Sequence, residues 1–463
     1  MAYDYFKQKF KQEREKRRME SFEKEEEPDV DRIFTIEKYN ADFDGIAHKK
    51  GKMFVIKGAM EGEEVEIKNT VKEGSVVKAQ VRRIITASEQ RVTSACKERK
   101  CFSCPLLHIK YDEQNRIKQK LVKSKLAPFY AGEVKMIGSK QFYYKNRINL
   151  AFAMQDGEVV LGFQNPQNYK VEPFKRCMLY SKWATLAVKI LTEWANENGE
   201  EVYKPSTQKG VLRFVTVHEY GNKIAVNLTV NTPSKFLREM YYALKGGFDS
   251  VALYQTVNSS KACDMQNNKT EHIDGEEFIF TKQGDDIVAF NAHAFSRLCD
   301  EVSAEQIKEL KRIITENGIK SAIIMHAKNG IIATALAKTG LFVRSYETNE
   351  DNVAVLFANE KAGGVNLNLE KTDFTKAIKT VNADDKTAIV MDLASGILGD
   401  DACRKITQKK ASLLVYLSSS LENTKKDLIT LTSNGYKVCQ ITAFDVLPNT
   451  RYVESVVCLK RQI

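Results

Sequence analysis

The sequence predicts a multi-domain α/β protein: a small OB-like β-barrel, an α+β middle domain and a C-terminal Rossmann-like domain. Three observations predict it. Short alternating runs (FTIEKYN, GKMFVIKGAM, EEVEIKNTV, SVVKAQVRRII) follow Thr35, separated by Asp44-Gly45, Lys50-Gly51, Glu61-Gly62 and Glu73-Gly74. Strand patterns broken by one helix-like stretch, SKWATLAVKILTEWANEN, come next. From about Asp285, helix and strand runs alternate (AEQIKELKRIITENG, SAIIMHA, IIATALAKTG, FVRSYET, TAIVMDLA, LLVYLSSS), the texture of a doubly wound parallel sheet closed by an antiparallel strand.

Each element has a local reason. Residues 1–34 alternate Lys, Arg and Glu up to Pro28 and read as a charged helical or disordered arm. About five short strands over residues 35–86 make the barrel. Residues 87–284 hold a cysteine loop, a basic helix over Tyr111 to Lys125 and the strands of the middle domain, and residues 285–463 form the Rossmann-like domain. The 463 residues fit about three domains of roughly 150 residues each. No apolar run reaches the roughly 18 residues of a membrane span, and the acidic N-terminus lacks a signal-peptide core, so a soluble cytoplasmic protein is expected.

Net charge is +11, and the stretch from Arg91 to Arg147 carries 14 Lys or Arg against 4 Asp or Glu. Nearly the whole surplus is local, which fits a polyanion partner; the bland alternative is a solvated helical face. Within the stretch, Cys96-x4-Cys101-x2-Cys104 gathers three thiols in a basic loop. Spacing alone leaves zinc, an iron-sulfur cluster with a distant fourth ligand and unliganded cysteines open.

These residues resemble a family. YNADFDGIAHKKGKMFVIKGAMEGEEVEI is similar to the TRAM barrel of RNA (uracil-5-)methyltransferases, which act on ribosomal or transfer RNA. ITASEQRVTSACKERKCFSCPLLHIKYDEQNRIKQKLV resembles the family's cysteine loop and following helix, and FDVLPNTRYVESVVCLKR its C-terminus. The resemblance implies a [4Fe-4S] cluster on Cys96, Cys101, Cys104 and Cys177, the last in the matching context VEPFKRC. It implies RNA as partner, with Phe43, Arg91, Lys97, Arg99, Lys100, Lys140, Lys145 and Arg147 as candidate contacts and Tyr143 and Tyr144 as stacking rings.

Methylating carbon 5 of uracil needs a thiolate that adds at carbon 6 and a carboxylate that removes the carbon 5 proton. The family's nucleophile sits in V-Y-x-S-C-N-P, and in LVYLSSSLEN that frame places Ser419 at the cysteine. Glu454, in RYVESVVCL, matches the base. In the S-adenosylmethionine motif Y-C-G-x-G-T only Gly330 is kept, with His326 and Ala327 where the acid and aromatic belong. Glu347 matches the ribose-binding carboxylate; Asp392 matches the acid of D-P-P, whose prolines are Leu393 and Ala394. AFSRLCDE replaces F-F-Q-x-N. Losses at the nucleophile, glycine turn, prolines and glutamine imply a pseudoenzyme, a monomeric RNA-binding protein of ribosome assembly or tRNA that no longer uses S-adenosylmethionine. An active methyltransferase with a rebuilt site and an iron-sulfur redox sensor are the alternatives.

Overall fold

The computed structural model describes residues 32–98, 101, 103–165, 168–260, 270–284 and 286–462. The charged arm lies outside them up to residue 31. Among the described residues no helix is long and apolar enough to cross a membrane. The chain forms two compact units.

The first unit spans the chain to Leu121, with residues 165–169 and 449–451. Among the described residues it holds six strands, not five: Ile33–Thr35, Lys38–Tyr39, Gly45–Lys49, Lys52–Lys57, Glu64–Glu73 and Val76–Thr86, in the sheet order first, fifth, sixth, fourth, third, second. Alternate side chains such as Phe34, Phe54, Ile56, Val65 and Ile67 fill one face, the period-two pattern the sequence shows. Gly45 is required where it is, since a Cβ there would meet Ile36 Cγ2 at 2.8 Å. Glu63 is fully buried and accepts from Arg91 Nη2 (2.7 Å), Arg91 Nε (2.5 Å) and Met60 N (2.8 Å). Burial opposes its charge, but the Arg91 guanidinium and the Met60 N–H hold its carboxyl below the usual value.

The second unit contains two larger sheets. A seven-stranded sheet runs in the order Val171–Pro173, Glu158–Gln164, Arg147–Gln155, Leu212–Tyr220, Lys223–Val230, Ser250–Val257, Thr270–Gly275, with helices Lys182–Glu197 and Leu237–Lys245 packed together beside it.

The other sheet positions the site. Its strands are β1 (Val134–Ile137), β2 (Ser321–Met325), β3 (Phe342–Tyr346), β4 (Leu369–Glu370), β5 (Thr387–Asp392), β6 (Leu413–Ser418), β7 (Tyr436–Phe444) and β8 (Glu454–Arg461), in the order β4-β3-β2-β5-β6-β8-β7-β1. Only β8 runs against its neighbours. Between the strands come α1 (Asp300–Glu316), α2 (Ile331–Ala337), α3 (Glu350–Gly363), α4 (Phe374–Thr380), α5 (Asp400–Gln408) and α6 (Leu421–Ser433). TAIVMD and LLVYLS are buried at every position, because a parallel sheet covered on both faces leaves no polar side. One strand departs from the expected grouping. Val134–Ile137 follows the basic helix in sequence, yet it pairs with β7 at the edge of this sheet.

Glu309 fastens α1 to β7: it accepts from Thr442 Oγ1 (2.8 Å), Gln440 Nε2 (2.6 Å) and Arg312 Nη2 (2.8 Å). The Arg312 hydrogen bond first, and that of Thr442, pull its carboxyl down to about 2. A depressed carboxyl stabilises the fold above its unfolded value, and that gain is lost as pH falls through the folded value. Glu309→Gln is therefore expected to cost about 3 kcal/mol at neutral pH. In urea unfolding the gap between variant and parent should close as pH falls from about 4.5 towards about 2. A gap that does not change with pH contradicts this.

Candidate functional site

In an open α/β sheet, ligands bind outside the carboxyl ends of the strands where the strand order reverses. Here that point lies between β2 and β5. Met325 ends β2, Tyr346 ends β3, Asp392 ends β5 and Ser418 ends β6; Ser455 of the inverted β8 pairs with Ser418. Five sequence-predicted positions, Gly330, Glu347, Asp392, Ser419 and Glu454, thus share one end of one sheet.

A closed ionic cluster occupies it. Lys328 Nζ lies 2.6 Å from Asp392 Oδ1 and 3.9 Å from the centroid of the Phe295 ring. Arg297 Nη2 lies 3.2 Å from Asp392 Oδ2 and 3.3 Å from Glu454 Oε1, while its Nε donates to Gln306 Oε1 at 2.6 Å. Two cations face two carboxylates, and all four side chains are largely buried, the most exposed at 13%. Burial works against the Asp392 charge, but Arg297 and then Lys328 hold its carboxyl below the usual range. Burial likewise pulls the Lys328 ammonium down, and Asp392 opposes that pull. The same carboxylates lift the Arg297 guanidinium against its burial.

The space left is small. A cavity lined by Phe290, Phe295, Arg297, Lys328, Asn329 and Asp392 measures about 20 Å³, room for about one water.

The loop after β2 explains how lysine reaches this position. His326 (φ 58°) and Lys328 (φ 54°) are both left-handed, a conformation that costs a side chain energy and favours glycine. Gly330 is the glycine the sequence keeps from the motif, and Lys328 stands two residues before it. Gly330 itself (φ 78°) is demanded by packing, since a Cβ would meet Leu356 Cγ at 2.7 Å. Glu347 is committed to the loop backbone: Oε2 accepts from Lys328 N (2.7 Å), and Oε1 from Thr348 N (2.8 Å) and Asn349 N (2.9 Å).

Comparison with known proteins fits this geometry. No family model matches the chain. A tRNA (uracil(54)-C(5))-methyltransferase of Pyrococcus horikoshii is 25% identical over 409 residues, 85% of this chain and 92% of the relative. A Bacillus cereus protein called an uncharacterized RNA methyltransferase is 24% identical over 444 residues, 92% of this chain and 96% of the relative. The chain is a homologue of RNA methyltransferases. The crystal structure of Pyrococcus abyssi tRNA (uracil-54, C5)-methyltransferase in complex with S-adenosyl-L-homocysteine superposes with a TM-score of 0.75 at 23% identity, covering 93% of this chain and 100% of that one, and shows that the methyltransferase fold is kept.

In this methyltransferase homologue the three serines after β6 are a structural junction. Ser418 is buried and its Oγ donates to Ala394 O (3.1 Å); Ser420 caps α6, accepting from Asn423 N (3.3 Å). Ser419 donates its N–H to Ala394 O (2.7 Å), and among the described residues no base is hydrogen-bonded to its hydroxyl. Ser419→Cys should therefore leave RNA unmethylated in a tritium-release or mass assay; detectable carbon 5 methylation would contradict a purely structural role for this junction.

The residues expected to touch RNA separate into two groups. Phe43 is a core residue, 3% exposed among Met60, Leu106, Ile109 and Ile117, so its ring is not open for stacking. Tyr144 is buried with its hydroxyl donating to Pro448 O (3.1 Å), and Arg91 is spent on Glu63. Burial pulls the Arg147 guanidinium down. Lys97, Lys140 and Tyr143 are exposed, Lys140 pairing with Glu301, and Lys145 lies half-buried over the Tyr180 ring at 5.9 Å. Arg99 and Lys100 lie outside the described residues.

Cys96, Cys101 and Cys104 belong to the first unit, with Cys101 exposed, and Cys177 belongs to the second. Among the described residues no three His, Cys, Asp or Glu side chains are gathered as a metal site.

Sequence reasoning missed Arg297, Lys328 and Phe295, the residues that close the site. A signal existed: Phe295 and Arg297 both lie in AFSRLCDE, the segment that replaces F-F-Q-x-N.

Proposed function

We propose that this chain is a non-catalytic RNA-binding protein on an RNA (uracil-5-)methyltransferase scaffold, recognising ribosomal or transfer RNA without S-adenosylmethionine. The observation that carries this reading is the Lys328–Asp392–Arg297–Glu454 cluster. A cofactor needs room at the switch point, a glycine turn its backbone can lie against and a carboxylate for its ribose. Here the cavity beside the cluster measures about 20 Å³, the turn carries a lysine paired with Asp392, and Glu347 is bonded to three backbone N–H groups.

The chemistry fails for the same reasons. A serine hydroxyl adds to carbon 6 only if a base takes its proton, and a thiol is far more nucleophilic near neutral pH. Glu454, which stands at the position of the proton-removing base, is held by Arg297 at 3.3 Å. Ser419 and Glu454 therefore serve the junction of β6 and β8.

The N-terminal sheet of the first unit is read as the OB-like TRAM barrel, and Cys96, Cys101, Cys104 and Cys177 as the ligands of a [4Fe-4S] cluster. Four thiols suit iron-sulfur chemistry. Iron and sulfide analysis of anaerobically purified protein, with Cys101→Ala as control, tests that assignment.

The RNA-binding reading makes a quantitative prediction. If the basic surface neutralises about six phosphates, affinity for a tRNA or rRNA transcript should fall roughly a thousandfold between about 50 and 200 mM salt. Filter binding across that range should give a steep linear log–log slope. Affinity insensitive to salt, or no binding at low salt, would overturn the proposal.

A further inference from the structure

A second chemical feature lies away from the cluster, on β7 and β8. These strands pair antiparallel, with Val438 opposite Leu459 and Gln440 opposite Cys458. The register shifts between Val438 and Gln440, so Cys439 is the inserted residue of a β-bulge. A bulge re-aims a side chain at the cost of one ladder position. Here it turns Cys439 towards its neighbour: the two Sγ atoms are 3.2 Å apart, and Cys439 Sγ also lies 3.3 Å from Cys458 O. Cys439 is exposed, whereas Cys458 is 2% exposed.

The two thiols are electrostatically unequal. The bond with Cys458, and then the charge of Lys460, hold the Cys439 thiol below its usual value. Its bond to Cys439 and burial push Cys458 the other way. The arrangement is an accessible thiol of lowered pKa beside a protected one within reach of it. By contrast Cys299 and Cys403 are buried, out of reach of a solvent oxidant.

We propose that Cys439 and Cys458 form a reversible redox pair, a modification site at which hydrogen peroxide generates an intrachain disulfide. The Cys439 thiolate attacks one peroxide oxygen; an S–O bond forms, the O–O bond breaks and hydroxide leaves, taking a proton to become water. The Cys458 sulfur, giving up its proton, attacks the sulfenic sulfur of Cys439. The S–S bond forms, the S–O bond breaks, and the leaving hydroxide becomes the second water. Two thiols lose two electrons and one peroxide gains them. Closing 3.2 Å to a bond of about 2 Å needs only about 1 Å of movement, within reach of side-chain rotation. The bond closes the loop from Gln440 to Val457, which contains Glu454 of the ionic cluster.

The sequence makes the test direct, because trypsin places Cys439 in the peptide 438–451 and Cys458 in 452–460. Purified full-length protein is exposed to stoichiometric hydrogen peroxide, alkylated, digested and read by mass spectrometry. The expected product is the two peptides joined with the loss of two hydrogens, reverting to separate thiols after dithiothreitol, while Cys299 and Cys403 stay reduced. In Cys458→Ser, Cys439 should instead be trapped by dimedone as a sulfenic acid. In Cys439→Ser, the 452–460 peptide should stay unmodified. Overturning results are equally clear: both cysteines reduced after peroxide, Cys439 advancing to the sulfinic acid with Cys458 still reduced, or Cys458 reacting without Cys439.

Discussion

Asp392→Ala is expected to cost the fold about 3–5 kcal/mol and to lower Tm by on the order of 10 °C. Asp392 accepts from Lys328 at 2.6 Å and from Arg297 at 3.2 Å, and it is 4% exposed. Removing it leaves the buried Lys328 without its carboxylate and Arg297 with Glu454 alone, the arrangement that makes half-broken ion pairs expensive. Asp392→Asn keeps the shape and loses the charge, so most of the penalty should remain. Both are read by differential scanning fluorimetry and urea unfolding. A cost under about 1 kcal/mol would show that water reaches and solvates the cations, and that the site is open.

The second large effect is a ranking. Lys328→Ala and Lys328→Gly remove the same ammonium, and both leave Asp392 with Arg297 alone. They differ in the backbone, since at φ 54° a Cβ is strained and glycine is not. Each is expected to destabilise by several kcal/mol, with glycine milder than alanine by about 1 kcal/mol. Equal losses, or a better tolerated alanine, would mean that position 328 carries no left-handed strain once the ammonium is gone.

Much of the C-terminal architecture was legible. Buried parallel strands read as unbroken apolar runs such as TAIVMD and LLVYLS, and the helices between them carry their own period. Polar residues ending those runs, Asp392, Glu347 and Ser419, therefore fall together once the sheet is wound. The pairing of Val134–Ile137 with β7 was not legible, because nothing in four residues says which edge they join. Nor was the closing cluster. Lys328 and Arg297 come from separate loops, and in sequence each looks like an ordinary surface cation. Charge counting had a related blind spot: it marked Arg91 as an RNA contact without showing that buried Glu63 already claims it. Phe43 failed similarly, since an aromatic in a turn reads alike whether it stacks on a base or fills a core.

Binding of S-adenosylmethionine measures the central claim most directly. Isothermal titration of S-adenosylmethionine, and of S-adenosylhomocysteine, into the full-length protein with and without bound RNA should give no saturable heat up to millimolar ligand, because Lys328 and Arg297 already neutralise Asp392 and fill the space beside it. A micromolar dissociation constant for either ligand would contradict the closed site and restore the case for an active methyltransferase.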